Sequence, residues 1–137
     1  MLTEISKAMT DRMIGLATEL IGEYVQREAQ VRSPKVGDAY TTMKLLHRRQ
    51  PLGLGPNPGY LWTGTLELVL VHPQPLGIAA ARRRQDDMVD AWPRALTLVE
   101  GPAHVIIETV EPKPTYTAAD WTHAPVTISW MCEEPPA

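Results

Sequence analysis

With 137 residues the chain has the length of one ordinary domain, and at that size it can bury about two-thirds of its unfolded surface without staples. Its 44% apolar and 21% charged residues exclude a disordered chain, and a net charge of −3 gives no strong pull toward nucleic acid or anionic lipid. The single cysteine, Cys132, excludes an internal disulfide and a cysteine-rich zinc site, and the apolar stretches are too short to span a bilayer.

Ile5, Met9, Met13, Leu16, Leu20 and Tyr24 recur at three- and four-residue steps, and Ala17 and Ile21 widen the stripe. This spacing predicts a helix that fades near Gln30, with Thr3 as N-cap and a loop from Ser33-Pro34. Met1 to Arg12 mixes charged with apolar residues and does not read as a secretory signal, which places the protein in a cytoplasm or in a particle assembled there. Ala39 to Arg48 reads as a strand. Gln50 to Gly59 holds three prolines and three glycines and cannot be regular structure. Tyr60 to His72 is the clearest strand, with Tyr60, Trp62, Leu66, Leu68 and Leu70 on one face and Thr63, Thr65 and Glu67 on the other. The two strands and their loop predict a long β-hairpin.

His72 to Gly77 reads as a turn. Ile78 to about Leu96 follows as a second helix, with Ile78, Met88, Val89, Trp92 and Leu96 buried, Pro93 kinking or ending it, and Asp90 and Arg94 favourably spaced outside. Ala103 to Glu111 is a strand, Pro112 to Pro125 a loop, and Val126 to Glu133 a last strand. In that strand Val126, Ile128, Trp130 and Cys132 alternate with Thr127, Ser129 and Met131. The expected fold is α+β: an antiparallel four-stranded sheet with helices on one face, in the order α-β-β-α-β-β. Residues 1–133 form the expected domain, and 134–137 a frayed tail.

Few residues invite chemistry. His47, His72, His104 and His123 share no metal-ligand spacing and read as solvated strand-end or loop histidines. Gly53, Gly55 and Gly59 are interrupted by Pro56 and Pro58 and precede a strand, whereas a phosphate loop opens a helix. Ser6, Ser33 and Ser129 lie in no G-x-S-x-G elbow. Asp86 and Asp87 point about 100° apart on a helix, which disfavours a carboxylate dyad. Cys132 reads as a small buried side chain. No catalytic set, cofactor or metal is expected.

Arg82, Arg83 and Arg84 are the sharpest charged feature. On a helix they fan around most of the circumference, so they cannot all face one phosphate track. Arg82 with Asp86, or Arg83 with Asp87, has i,i+4 spacing, in the order that opposes the helix dipole. The alternatives are a solvated face, carboxylate partners on another chain, or nucleic acid. The expected partner surface comprises these three arginines together with Arg48, Arg49, Leu52, Leu54 and Asn57 around the hairpin loop. That loop is expected to be mobile in the free subunit and to become ordered on contact with a partner.

Three stretches carry a family resemblance: the Trp-led strand Trp62-Thr63-Gly64-Thr65-Leu66-Glu67-Leu68-Val69-Leu70 closing at Pro73; Asp90-Ala91-Trp92-Pro93; and Trp121 followed by Val126-Thr127-Ile128-Ser129-Trp130-Met131. With the element order, they resemble the tail terminator proteins of long-tailed, lambda-like bacteriophages over nearly the whole chain. The resemblance implies a structural virion protein, not an enzyme. It implies a homo-oligomeric ring, typically of six copies, that binds the last ring of tail tube protein, ends polymerisation and offers a docking face to the head or neck connector protein. Phage DNA would pass through the channel without specific binding, at the head-proximal end of the tail, with no membrane involved. The proline-rich loop and the arginine triplet depart from the lambda-like pattern and leave both docking faces open. Competing readings are another head–tail connector subunit (adaptor, stopper or neck), a small nucleic-acid-binding module, and an enzyme or small-molecule binder built from scattered residues.

Overall fold

A computed structural model describes residues 1–16, 24–26, 39–73 and 77–136. The elements are α1 (Leu2–Leu16), β1 (Tyr24–Gln26), β2 (Tyr40–Pro51), β3 (Tyr60–Pro73), α2 (Gly77–Asp90), β4 (Thr97–Glu100), β5 (Ala103–Pro112), β6 (Tyr116–Ala118) and β7 (Trp121–Glu134). The fold is α+β as expected, but the sheet has seven strands in the order β1-β2-β3-β7-β5-β4, with β6 also on β7. Six pair antiparallel, and β1 pairs parallel to β2.

Alternation of apolar residues makes one face of this sheet. Leu66, Leu68 and Leu70 of β3 lie opposite Ile128, Val126 and Ala124 of β7, and Ile107 of β5 lies opposite Trp130. All of these are fully buried. Both helices cover this face: Ile5, Met9 and Met13 of α1, and Ala81 and Met88 of α2, belong to the same core. Each large aliphatic side chain so buried contributes roughly 1.5–3 kcal/mol. On the uncovered face Thr65, Glu67, Thr127, Ser129 and Met131 alternate with the core residues.

Several expectations shift. Tyr24 to Gln26 form β1, so the predicted helix to Gln30 is not continuous, and Leu20, Ala17, Ile21 and Ser33-Pro34 lie outside the described residues. The helix begins at Leu2, which puts Thr3 inside its first turn rather than at the cap. The second helix stops at Asp90. Pro93 lacks an N–H, and Ala95 adopts a left-handed backbone (φ 67°) that lets its N–H reach the Ile107 carbonyl at 2.8 Å. The chain thereby leaves helix geometry and enters β4, an edge strand the sequence reading missed. Arg94 is consequently not on the helix beside Asp90, and Ile78 is 46% exposed. Met88 and Trp92 are buried as expected.

The expected loop from Pro112 to Pro125 instead contains β6 and the first residues of β7. Pro125 brings no N–H to the ladder, but its carbonyl is bound: Lys113 N–H donates to it at 3.0 Å, and Gln85, buried on α2, donates to both Pro125 O (2.6 Å) and Lys113 O (2.8 Å). In β5 the register with β7 shifts between Ile107 and Thr109, leaving Glu108 as the extra residue of a bulge. The bulge explains why the inward residues run Val105, Ile107 and then Val110. β7 also continues to Glu134, one residue beyond the expected end.

Candidate interaction surfaces

β2 and β3 are paired without interruption from Tyr40↔Val71 to Pro51↔Tyr60, and their far end projects as a tongue. The tip turns between Leu52 and Gly59, whose N–H and carbonyl pair at 3.1 Å. Gly55 (φ 97°) and Asn57 (φ 54°) supply left-handed turns. Leu54 is fully exposed and Leu52 half exposed, an unusual placement for two leucines in one loop.

A polar latch holds the base of the tongue. Arg49 donates to the Glu134 carboxylate from Nε (3.3 Å) and Nη2 (3.1 Å), and Trp62 Nε1 donates to the same oxygen at 3.2 Å. The Arg49 guanidinium lies 3.4 Å from the Tyr60 ring centroid, a cation–π contact. Desolvation pulls the Glu134 carboxyl upward, but the hydrogen bonds from Trp62 and Arg49, with the Arg49 charge, outweigh it and hold it below the ordinary value. Gly59 belongs to the same joint: a Cβ there would come within 3.0 Å of the Glu134 carbonyl.

The structure divides the expected partner surface. Arg48, Arg49, Leu52, Leu54 and Asn57 gather on the tongue, with Arg48 and Arg49 on opposite faces of β2. Arg82, Arg83 and Arg84 lie on α2, which follows from the other end of β3. Among the described residues Arg82 and Arg83 make no ion pair, so the i,i+4 pairs with Asp86 and Asp87 do not form; Arg84 is half-buried. Sequence reasoning missed Glu134, Trp62 and Tyr60 as parts of the latch. The partners lie 72 and 85 residues apart, beyond any local spacing rule.

A second surface is an open cleft of about 620 Å³ between the end of α2 and the β5 bulge. Val89, Trp92 and Val110 line it with apolar groups, and Asp90, Arg94 and Glu108 bring charge to it. Arg12 donates to the Ala91 carbonyl, and its guanidinium lies 5.8 Å from the Trp92 ring centroid.

His72 is fully buried rather than solvated, and burial lowers its pKa. His123 stacks on Tyr116 at 4.6 Å, and burial lowers its pKa too. Cys132 is buried, which pushes its thiol pKa up and keeps it neutral. Among the described residues no group of three His, Cys, Asp or Glu is placed to hold a metal, and no helix is long and apolar enough to cross a membrane.

A sheet backed by two helices thus carries a tongue and a partly apolar cleft. The model of the phage tail terminator protein family matches residues 4–130, and the chain belongs to that family, which is structural and not enzymatic. It is therefore a phage tail structural protein and a virion component that associates with other tail proteins. No curated protein sequence is detectably similar. Two of the solved structures that share the fold illustrate the likeness. One, described without a function, aligns over 100% of this chain and 99% of its own, with a TM-score of 0.80 and 14% identity. The other is a chain from the virion of a native gene transfer agent particle, at TM-score 0.62 and 15% identity, covering 96% of both chains.

Proposed function

We propose that copies of this chain, each acting as one domain, close into a ring that caps the tail tube, ends its polymerisation and presents a docking face to the head or neck. The observation that carries this reading is family membership across residues 4–130. The number of copies, six, comes from the family resemblance. The ring sits at the head-proximal end of the tail and assembles in the host cytoplasm. The fold supplies what such a ring requires: distinct surfaces on opposite flanks of one sheet, so that heterologous contacts can close on themselves. Arg48, Arg49, Leu52, Leu54 and Asn57 on the tongue, and Arg82, Arg83 and Arg84 on α2, are the residues we assign to contacts with neighbouring subunits. The slightly acidic net charge suits a channel that passes DNA without holding its phosphates. The alternative within the same class, an adaptor, stopper or neck subunit, has no observation that favours it over the matched family.

Phage lacking this chain should build heads, and its tails should be overlong or remain unjoined. Electron microscopy of the lysate decides, since tails of normal length joined to heads would refute the capping role. Replacing the exposed Arg82 and Arg83 by Glu should weaken ring formation and leave the monomer folded.

A further inference from the structure

We infer that the lateral contact of the ring is a tongue-in-cleft joint, in which the Leu54 tip of one copy enters the cleft between α2 and the β5 bulge of the next. The inference rests on the ring reading above and names the two surfaces that would make it. Four observations converge on it.

The first is the tip itself. Leu54 is fully exposed and Leu52 half exposed, and Arg48 stands on the same tongue with no ion pair among the described residues. An apolar knob with an unpaired cation calls for an apolar hollow beside carboxylates. The second is the cleft. Val89 and Val110, both half-buried, line it over the buried Trp92, and Asp90 and Glu108 line it without ion pairs among the described residues; the Arg94 cation shares it. Glu108 is the bulged residue of β5, and bulges re-aim a side chain out of the strand's alternation. The two carboxylates complement Arg48, and the two valines complement Leu54.

The third observation is preorganisation. The latch of Arg49, Trp62 and Glu134 and the close approach of Gly59 to Glu134 fix the base of the tongue before any partner arrives. Less ordering entropy is then lost on docking. The fourth is placement. The tongue grows from β2 and β3, and the cleft borders β5, on the other side of β7 in the sheet. The two surfaces do not overlap, so a copy can give its tongue to one neighbour and receive a tongue from another. That head-to-tail arrangement is the one that closes into a ring.

The test uses the full chain with two exposed substitutions, Leu54→Asp and Glu108→Arg, followed by native mass spectrometry and sedimentation. Wild type should form rings, and each variant alone should need more than about tenfold higher concentration to assemble, the size of effect expected when a central anchor is lost. An equimolar mixture should recover assembly, to heterodimers at the least. The intact tongue of the Glu108→Arg copy fits the intact cleft of the Leu54→Asp copy, and in the remaining joint the two exchanged charges attract each other but the apolar anchor is missing. Circular dichroism checks that both variants fold. If Leu54→Asp rings form as readily as wild type, the joint is wrong while the ring stands. Rings of that variant that no longer bind tail tubes would assign the tongue to the adjacent tube ring instead. A mixture that stays as monomeric as its components overturns the joint as well. Wild type that stays monomeric at every concentration sinks the ring reading, and this contact with it.

Discussion

The strand β3 passes through two environments, and its two halves are held by different forces. From Leu66 to Leu70 every second side chain is fully buried under the helices. From Tyr60 to Thr65 no residue of the same strand is fully buried, and only Trp62 still packs partly against the core. The inner half is fixed by non-directional apolar burial, which is large and insensitive to salt. The outer half is fixed by charge, hydrogen bonds and ring contacts around Arg49, which are small, directional and screened. One continuous strand thus joins a region that sets stability to a region free to serve assembly. Substitutions in the two halves should separate these effects.

The largest effect is expected in the inner half. Trp130→Ala removes one of the largest fully buried side chains, from the centre of β7 beneath the helices. It should cost about 3–5 kcal/mol in denaturant unfolding, as large-to-small changes of aromatic core residues do. A loss under about 1 kcal/mol would mean that the inner half is not the stabilising region.

Next comes the joint between the halves. At Gly64 a Cβ would fall 1.9 Å from the Leu46 carbonyl oxygen, so no side chain fits without moving one strand from the other. Gly64→Ala should cost roughly 1–3 kcal/mol by overpacking. It should also speed amide exchange at the tongue more than in the inner half of β3. Uniform exchange along β3 would show that the two halves are not mechanically distinct.

A smaller effect concerns His72, fully buried at the inner end of β3, with no hydrogen-bond partner for either ring nitrogen among the described residues. Burial depresses its folded-state pKa below the ordinary 6.5. The unfolded chain therefore binds the proton first as pH falls, so stability is full above about 6.5 and declines as pH drops through the folded value. Unfolding midpoints measured down this range should fall for wild type. They should stay flatter for His72→Leu, and parallel profiles would remove His72 from the account.

The sequence announced the inner half far better than the outer. Period-two alternation in β3 and in Val126 to Cys132 states which side chains go inward, and burial acts on that pattern residue by residue. Pro56 and Pro58 likewise declare the tip irregular, whereas Gln50 and Pro51, expected in the same irregular stretch, still pair with Leu61 and Tyr60 in β2. What was not legible has three causes. Short strands carry too few periods to register, as with β1, β4 and β6. The stripe through Leu20 and Tyr24 matched a helix although Tyr24 pairs with Tyr40 in a parallel ladder, so tertiary pairing overrode local pattern at that residue. The latch joins Arg49 and Trp62 to Glu134 at the far end of the chain, and only the register of β3 on β7 brings them together. The same limit applies to the cleft, where Glu108 is placed by a bulge that no local signal in β5 reveals.

The smallest effect tests the outer half directly. Glu134→Gln keeps an oxygen for Trp62 but removes the charge that pairs with Arg49. The pair is partly solvent-exposed, so the change should cost at most about 1 kcal/mol of stability. Its effect on the tongue should be clearer, because the latch is local. Amides from Leu52 to Gly59 should exchange faster while those of Leu66 to Leu70 are unchanged. The direction with pH follows from the lowered pKa of Glu134. The folded state holds the carboxylate more tightly than the unfolded state, so the latch contributes fully above the ordinary 4.5 and is lost as pH falls through the lower folded value. Added salt should loosen the wild-type tongue toward the exchange rates of Glu134→Gln and barely move the variant. If wild type and variant respond equally to salt, the tongue is held by its backbone pairing alone, and the contrast between the two halves of β3 reduces to exposure.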